Sequence, residues 1–108
     1  MAIQRFAIPA DVSKTGDVSR LIDETVSHFG RLNFLLNNAG VLHIGNAEQI
    51  TVEQWDHTFN VNVRAVWQLS RAALPHMRKV GGGSIINVAS TLGVVSARNR
   101  AAYAASKA

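Results

Sequence analysis

Cysteine is absent from the 108-residue sequence. That excludes disulfide frameworks, Cys-type zinc sites and thiol catalysis together. No apolar run approaches the ~20 residues that a bilayer span requires, so no membrane partner is expected. Neither a charged-then-apolar leader nor a targeting tract opens the chain, and a cytoplasmic location is the expectation. Charge of neither sign is clustered. Eleven Lys+Arg against seven Asp+Glu leave +4, yet the basic residues are scattered and only Arg78-Lys79 are adjacent. They fall at the predicted end of a helix, where cations suit the macrodipole, so no nucleic-acid partner is expected. Repeats and low-complexity tracts are missing, and Gly81-Gly82-Gly83 is the single glycine run. His28, His43, His57 and His76 show no metal-ligand spacing and are expected on solvent-facing or loop positions.

What is present is globular in character, with 47% hydrophobic and 17% charged residues. The length allows one domain with a modest core. Phe6-Ala7-Ile8, ending at Pro9-Ala10-Asp11, predicts a buried strand running into a turn. Val18, Leu21, Ile22, Val26 and Phe29 recur at helical spacing, and Gly30 follows where a C-terminal glycine belongs. Leu32 to Leu36 predicts a second strand, broken at Asn37-Asn38-Ala39-Gly40. Thr51 with Gln54 makes a capping box. The helix it opens carries Trp55, Phe59, Val63, Val66 and Leu69 and is expected to reach Val80, kinked in its last turns by Pro75. Trp55 and Trp67 are expected as core or interface anchors. Ser84 to Ser90 predicts a third strand, entered through the glycine run. A final helix begins near Arg100 and is still running at Ala108.

Short apolar strands alternating with long helices imply crossovers and a parallel sheet, an α/β fold with about three strands. Right-handed crossovers bring the strands' C-terminal ends to one edge, where such sheets bind ligands. Asp11-Val12, Asn37 to Gly40 and Ser90 all fall on that edge. The termini carry no caps, and residues 1–108 are expected to be part of a larger domain, cut at both ends.

Tyr103 and Lys107 are one helical turn apart and so share a face. An ammonium beside a phenol favours the phenolate, a route to a general acid/base near neutral pH. A tyrosine packed on a sheet with a snorkelling lysine is the alternative the spacing leaves open. Ser90, at the end of the preceding strand, is placed to come beside Tyr103.

Taken in order, Asp11-Val12, Asn37-Asn38-Ala39-Gly40, Asn62, the segment Gly82 to Ser90, and Tyr103-Ala104-Ala105-Ser106-Lys107 resemble the short-chain dehydrogenase/reductase family. The resemblance covers essentially the whole chain. It implies a Rossmann-like, doubly wound parallel sheet and hydride transfer between NAD or NADP and a small-molecule carbonyl or secondary alcohol. Tyr103 would be the general acid/base. Lys107 would favour the Tyr103 phenolate and hold the nicotinamide ribose. Ser90 would hydrogen-bond the reacting oxygen, and Asn62 would hold a relay water through its backbone carbonyl. Asp11 and Val12 would meet the adenine, and Asn38, Ala39 and Gly40 the adenosine ribose. A homodimer or homotetramer is implied for the full-length parent. The Gly-rich phosphate loop and the residue that chooses NAD or NADP are expected upstream of Met1, and most substrate-shaping residues beyond Ala108. Two other readings stand beside the enzyme: a non-catalytic dinucleotide or partner binder, and a truncated chain inactive by itself.

Overall fold

The computed structural model describes residues 3–108. Its first element, α1 (Thr15–Phe29), follows from one apolar stripe: Val18 and Ile22 are buried, with Leu21 and Val26 packed beside them. A turn organised by two carboxylates leads into it. Asp11 Oδ1 accepts the Ser13 N–H at 3.0 Å and the Ser13 hydroxyl at 2.6 Å, while Asp17 Oδ2 accepts the Asp11 N–H at 2.8 Å. The helix stops at Gly30, whose φ of 80° is costly for any residue with a Cβ.

β1 (Phe34–Asn37) and β2 (Ser84–Asn87) pair in parallel, with Phe34 opposite Ser84 and Asn37 opposite Asn87. The crossover between them is helical. α2 (Val52–Phe59) opens with the Thr51–Gln54 capping box, both reciprocal bonds present. It does not continue as one regular helix to Val80. Residues Asn60–Arg64 form a π turn, in which the Ala65 N–H reaches back to the Asn60 carbonyl, before α3 (Ala65–Lys79) resumes. α3 runs through Pro75 to its end. After β2 come a single 3-10 turn (Thr91–Gly93) and α4 (Ala101–Lys107).

The α/β class and the parallel pairing are as expected, but the described residues carry two strands and not three. Phe6-Ala7-Ile8 is not a strand. Pro9 contributes no N–H, the segment has no ladder partner, and Phe6 instead stacks on His28 at 4.1 Å between ring centroids. The other two strands are also shorter than the apolar runs that announce them. Leu32 sits in the core ahead of β1, and Val88 to Ser90 have left the sheet.

The core lies on one face of the sheet. Val18, Ile22, Leu32, Leu69, Ala73 and Met77 join α1 to α3, with Leu35 and Ile85 facing them. Phe34, Leu36 and Ile86 on the other face are 73%, 60% and 53% exposed, so that face is open. Trp55 and Trp67 are not core residues. Trp55 stacks on Phe59 at 4.7 Å, and the Arg71 guanidinium lies over Trp67 at 5.4 Å. His43 is half-buried on a loop, one of the positions expected, whereas His76 is half-buried on α3 and is neither on a loop nor fully solvent-facing. Among the described residues no group of acidic or histidine side chains is placed to hold a metal, and no helix is long and apolar enough to cross a membrane.

Candidate active site

The C-terminal ends of both strands face the same region, as parallel pairing requires. Asn37 Nδ2 donates to Asn87 Oδ1 at 2.9 Å across that edge, and Asn37 is buried. Its own Oδ1 is buried without a partner among the described residues. β1 then turns through Asn38, Ala39 and Gly40. Val12, Asn38 and Ala39 line one small cavity of about 120 Å³, floored by Leu21, Leu35 and Leu69. Of the residues expected to meet the adenosine half of a dinucleotide, Val12, Asn38 and Ala39 thus come together, whereas Asp11 does not border the cavity and Gly40 turns toward a second cluster. Asp11 lies exposed, and the two Ser13 hydrogen bonds hold its carboxyl below the usual carboxylate range.

The second cluster is built on the π turn. Asn62 is buried, and its amide is almost fully committed. Oδ1 accepts the Val41 N–H at 2.9 Å, while Nδ2 donates to the Val41 carbonyl at 3.0 Å and to Ser106 Oγ at 2.9 Å. A π turn widens the helix by one residue and is found frequently at functional positions; here it sets Asn62 between the Gly40 loop and α4. Ser106 in turn donates to the Tyr103 carbonyl at 2.8 Å. A methyl group at Gly40 would stand 3.5 Å from Asn62 Oδ1 and 3.7 Å from Lys107 Nζ, so loop, π turn and lysine meet at that point.

Lys107 donates to the Val88 carbonyl at 2.9 Å, just past the end of β2, and its ammonium lies 5.9 Å from the centre of the Tyr103 ring. Lys107, Asn62, Asn87 and Val88 border one open cavity of about 390 Å³. Ser90 caps the 3-10 turn by accepting the Leu92 N–H at 3.2 Å. That turn is pressed against α4: a Cβ on Gly93 would overlap the Lys107 carbonyl. Tyr103 and Ser90 are both half-buried and are not among the residues bordering the cavity that holds Asn62 and Lys107.

The whole chain can be compared with known proteins on this footing. Residues 2–108 match the family model described as short chain dehydrogenase. The chain belongs to that family. A Thermotoga maritima protein named uncharacterized oxidoreductase is 43% identical over 98 residues, covering 91% of this chain and 38% of the relative. The D-beta-hydroxybutyrate dehydrogenase of Rhizobium meliloti is 38% identical, covering 92% of this chain and 38% of its own length. The 3-oxoacyl-(acyl-carrier-protein) reductase FabG of Staphylococcus aureus is 35% identical over 106 residues, covering 98% and 43%. The chain therefore spans about two fifths of the length of these curated relatives.

Within the family member, sequence reasoning missed two residues that hold the site together. In the sequence Ser106 stands out only as part of a motif, and its burial beside Asn62 depends on a pairing 44 residues apart. Gly93 gave no signal, since its close approach to α4 exists only in three dimensions.

Proposed function

We propose that residues 1–108 form part of the dinucleotide-binding domain of an oxidoreductase. The protein transfers a hydride between NAD or NADP and a carbonyl or secondary alcohol, with Tyr103 as general acid/base. The observation that carries this reading is the Tyr103–Lys107 pair on one turn of α4. Its ammonium is anchored at the end of β2, beside the buried Asn62.

The donor set suits a dinucleotide. Lys107 has three N–H groups and uses one on Val88, which leaves two for the vicinal hydroxyls of a ribose. Val12, Asn38 and Ala39 around one cavity suit the adenosine end. Bound nicotinamide cofactor would supply or accept the hydride. The chain's own residues would manage the proton and the charge. The Tyr103 hydroxyl gives its proton to the substrate oxygen in reduction and takes it back in oxidation. The Lys107 ammonium attracts the negative charge that this leaves on the phenol oxygen. Ser90 Oγ already accepts a bond from Leu92, so its own proton is free to donate to the reacting oxygen. Asn62 spends its side chain on Val41 and Ser106, which leaves its backbone carbonyl as the group for a relay water.

The exposed stripe of Val63, Trp67 and Leu74 suits the homodimer or homotetramer implied for the full-length protein, and we place that protein in the cytoplasm. The test is kinetic. The full-length protein should be assayed in both directions on the compounds named in its relatives, with NAD or NADP as hydride acceptor from the alcohol D-beta-hydroxybutyrate and with NADH or NADPH as hydride donor to 3-oxoacyl-(acyl-carrier-protein). Tyr103→Phe keeps the ring and removes the proton, and is expected to lower turnover by about 10²–10⁴-fold. A variant that keeps most of its activity would remove Tyr103 from the acid/base role.

A further inference from the structure

We propose that Ser106 is a positioning residue, a latch that fixes the Tyr103–Lys107 turn against the Gly40 loop through the Asn62 side chain. This rests on the functional reading above. Ser106 is buried, 8% exposed, and both capacities of its hydroxyl are used. It accepts from Asn62 Nδ2 at 2.9 Å and donates to the Tyr103 carbonyl at 2.8 Å. The second bond lies within α4. The first leaves it and joins segments 44 residues apart.

The consequence follows from what Asn62 holds at its other end. Its amide grips both backbone groups of Val41, the residue after Gly40. Loop, π turn and α4 are therefore joined by a continuous chain of hydrogen bonds, Val41 to Asn62 to Ser106 to Tyr103. α4 has no side-chain cap at its start, so the bond that leaves the helix at Ser106 is a tie that its own ladder does not supply. Lys107, next in sequence to Ser106, reaches Val88 and lies close to Gly40. Removing the Ser106 hydroxyl strips a partner from the Nδ2 of a buried amide and loosens the Tyr103–Lys107 turn against the π turn and the Gly40 loop. The groups that touch substrate remain, but their alignment is lost.

The experiment uses the full-length protein with Ser106→Ala, Asn62→Ala and the double variant. Ser106→Ala is expected to lower kcat by about tenfold while the Kd for NAD or NADP stays within about threefold. Because Ser106 acts through Asn62, the double variant should be no slower than Asn62→Ala alone. Hydrogen exchange read in parallel should show faster exchange at Val41 and across Tyr103–Lys107 in Ser106→Ala. Unchanged kcat, or additive losses in the double variant, overturns the latch. A wild-type protein without any nicotinamide-linked turnover fails the functional reading instead. Exchange then decides the latch, and unaltered protection at Val41 overturns it.

Discussion

At the scale of single residues, the site is organised by side chains whose hydrogen-bonding capacity is largely spent within the protein. Asn62 and Ser106 are of this kind, and so is Asp11. The Asp11 carboxyl is depressed first by the Ser13 hydroxyl and then by the Ser13 N–H. Both bonds favour the ionised form, so the sign is definite. The turn ahead of α1 is fully held above the ordinary carboxylate range, and the contribution is lost as pH falls through the lower folded value. A carbon-13 titration of Asp11 should find its midpoint below that of an unstructured aspartate, and Ser13→Ala should move it upward. An unmoved midpoint in Ser13→Ala would contradict the assignment. Because Asp11 Oδ1 holds Ser13, it is Oδ2 that remains available to a ligand at this edge.

At the scale of elements, Asn62, Ser90 and Gly40 stand at interruptions in regular structure, whereas Tyr103 and Lys107 lie within α4. Asn62 occupies the π turn between α2 and α3, Ser90 caps the 3-10 turn after β2, and Gly40 lies in the loop after β1. Interruptions of this kind leave backbone groups and side chains pointing at a neighbour, which an unbroken ladder does not allow. The tightest junction is the one between the 3-10 turn and α4, where Gly93 has no room for a Cβ against the Lys107 backbone. Neither partner is a flexible side chain, so one element must move. Gly93→Ala in the full-length protein is predicted to separate Ser90 from the Tyr103–Lys107 turn and to lower kcat by on the order of 10²-fold. Steady-state kinetics with a melting curve checks this. Wild-type kcat in a folded variant would mean that the junction does not set the catalytic geometry.

At the scale of the whole molecule, the chain is open. Its radius of gyration is 15.9 Å, against about 13 Å for a compact domain of this length. Among the described residues the two-stranded sheet has both outer edges unpaired, and Phe34, Leu36 and Ile86 face solvent. Such edges and faces template association. Its eight glycines contain no Gly-x-Gly-x-x-Gly spacing to cradle a pyrophosphate. The isolated 108-residue chain is therefore predicted to associate at micromolar concentration and to give no heat of binding with NAD or NADP. Sedimentation and calorimetric titration test the two halves separately. A monodisperse monomer would disprove the first, and a micromolar dissociation constant the second.

Local chemistry determined much of this protein by itself. The stripe from Val18 to Phe29 and the glycine behind it define α1, and Thr51 with Gln54 starts α2. Tyr103 and Lys107 share a face because helical geometry leaves them no alternative. These outcomes depend on neighbours within a turn or two, which a sequence displays directly. Strands do not behave this way, since their ladder hydrogen bonds all belong to another segment, here 50 residues away. Phe6-Ala7-Ile8 has the residues of a strand and no ladder to join, whereas Leu35 and Ile85 found each other across the crossover. Asn62 likewise stands in a helical stretch whose sequence says nothing of Val41 and Ser106, the partners its side chain holds. Only the packing of the Gly40 loop and of α4 against the π turn supplied those partners, and it did so by contacts that no spacing along the chain records.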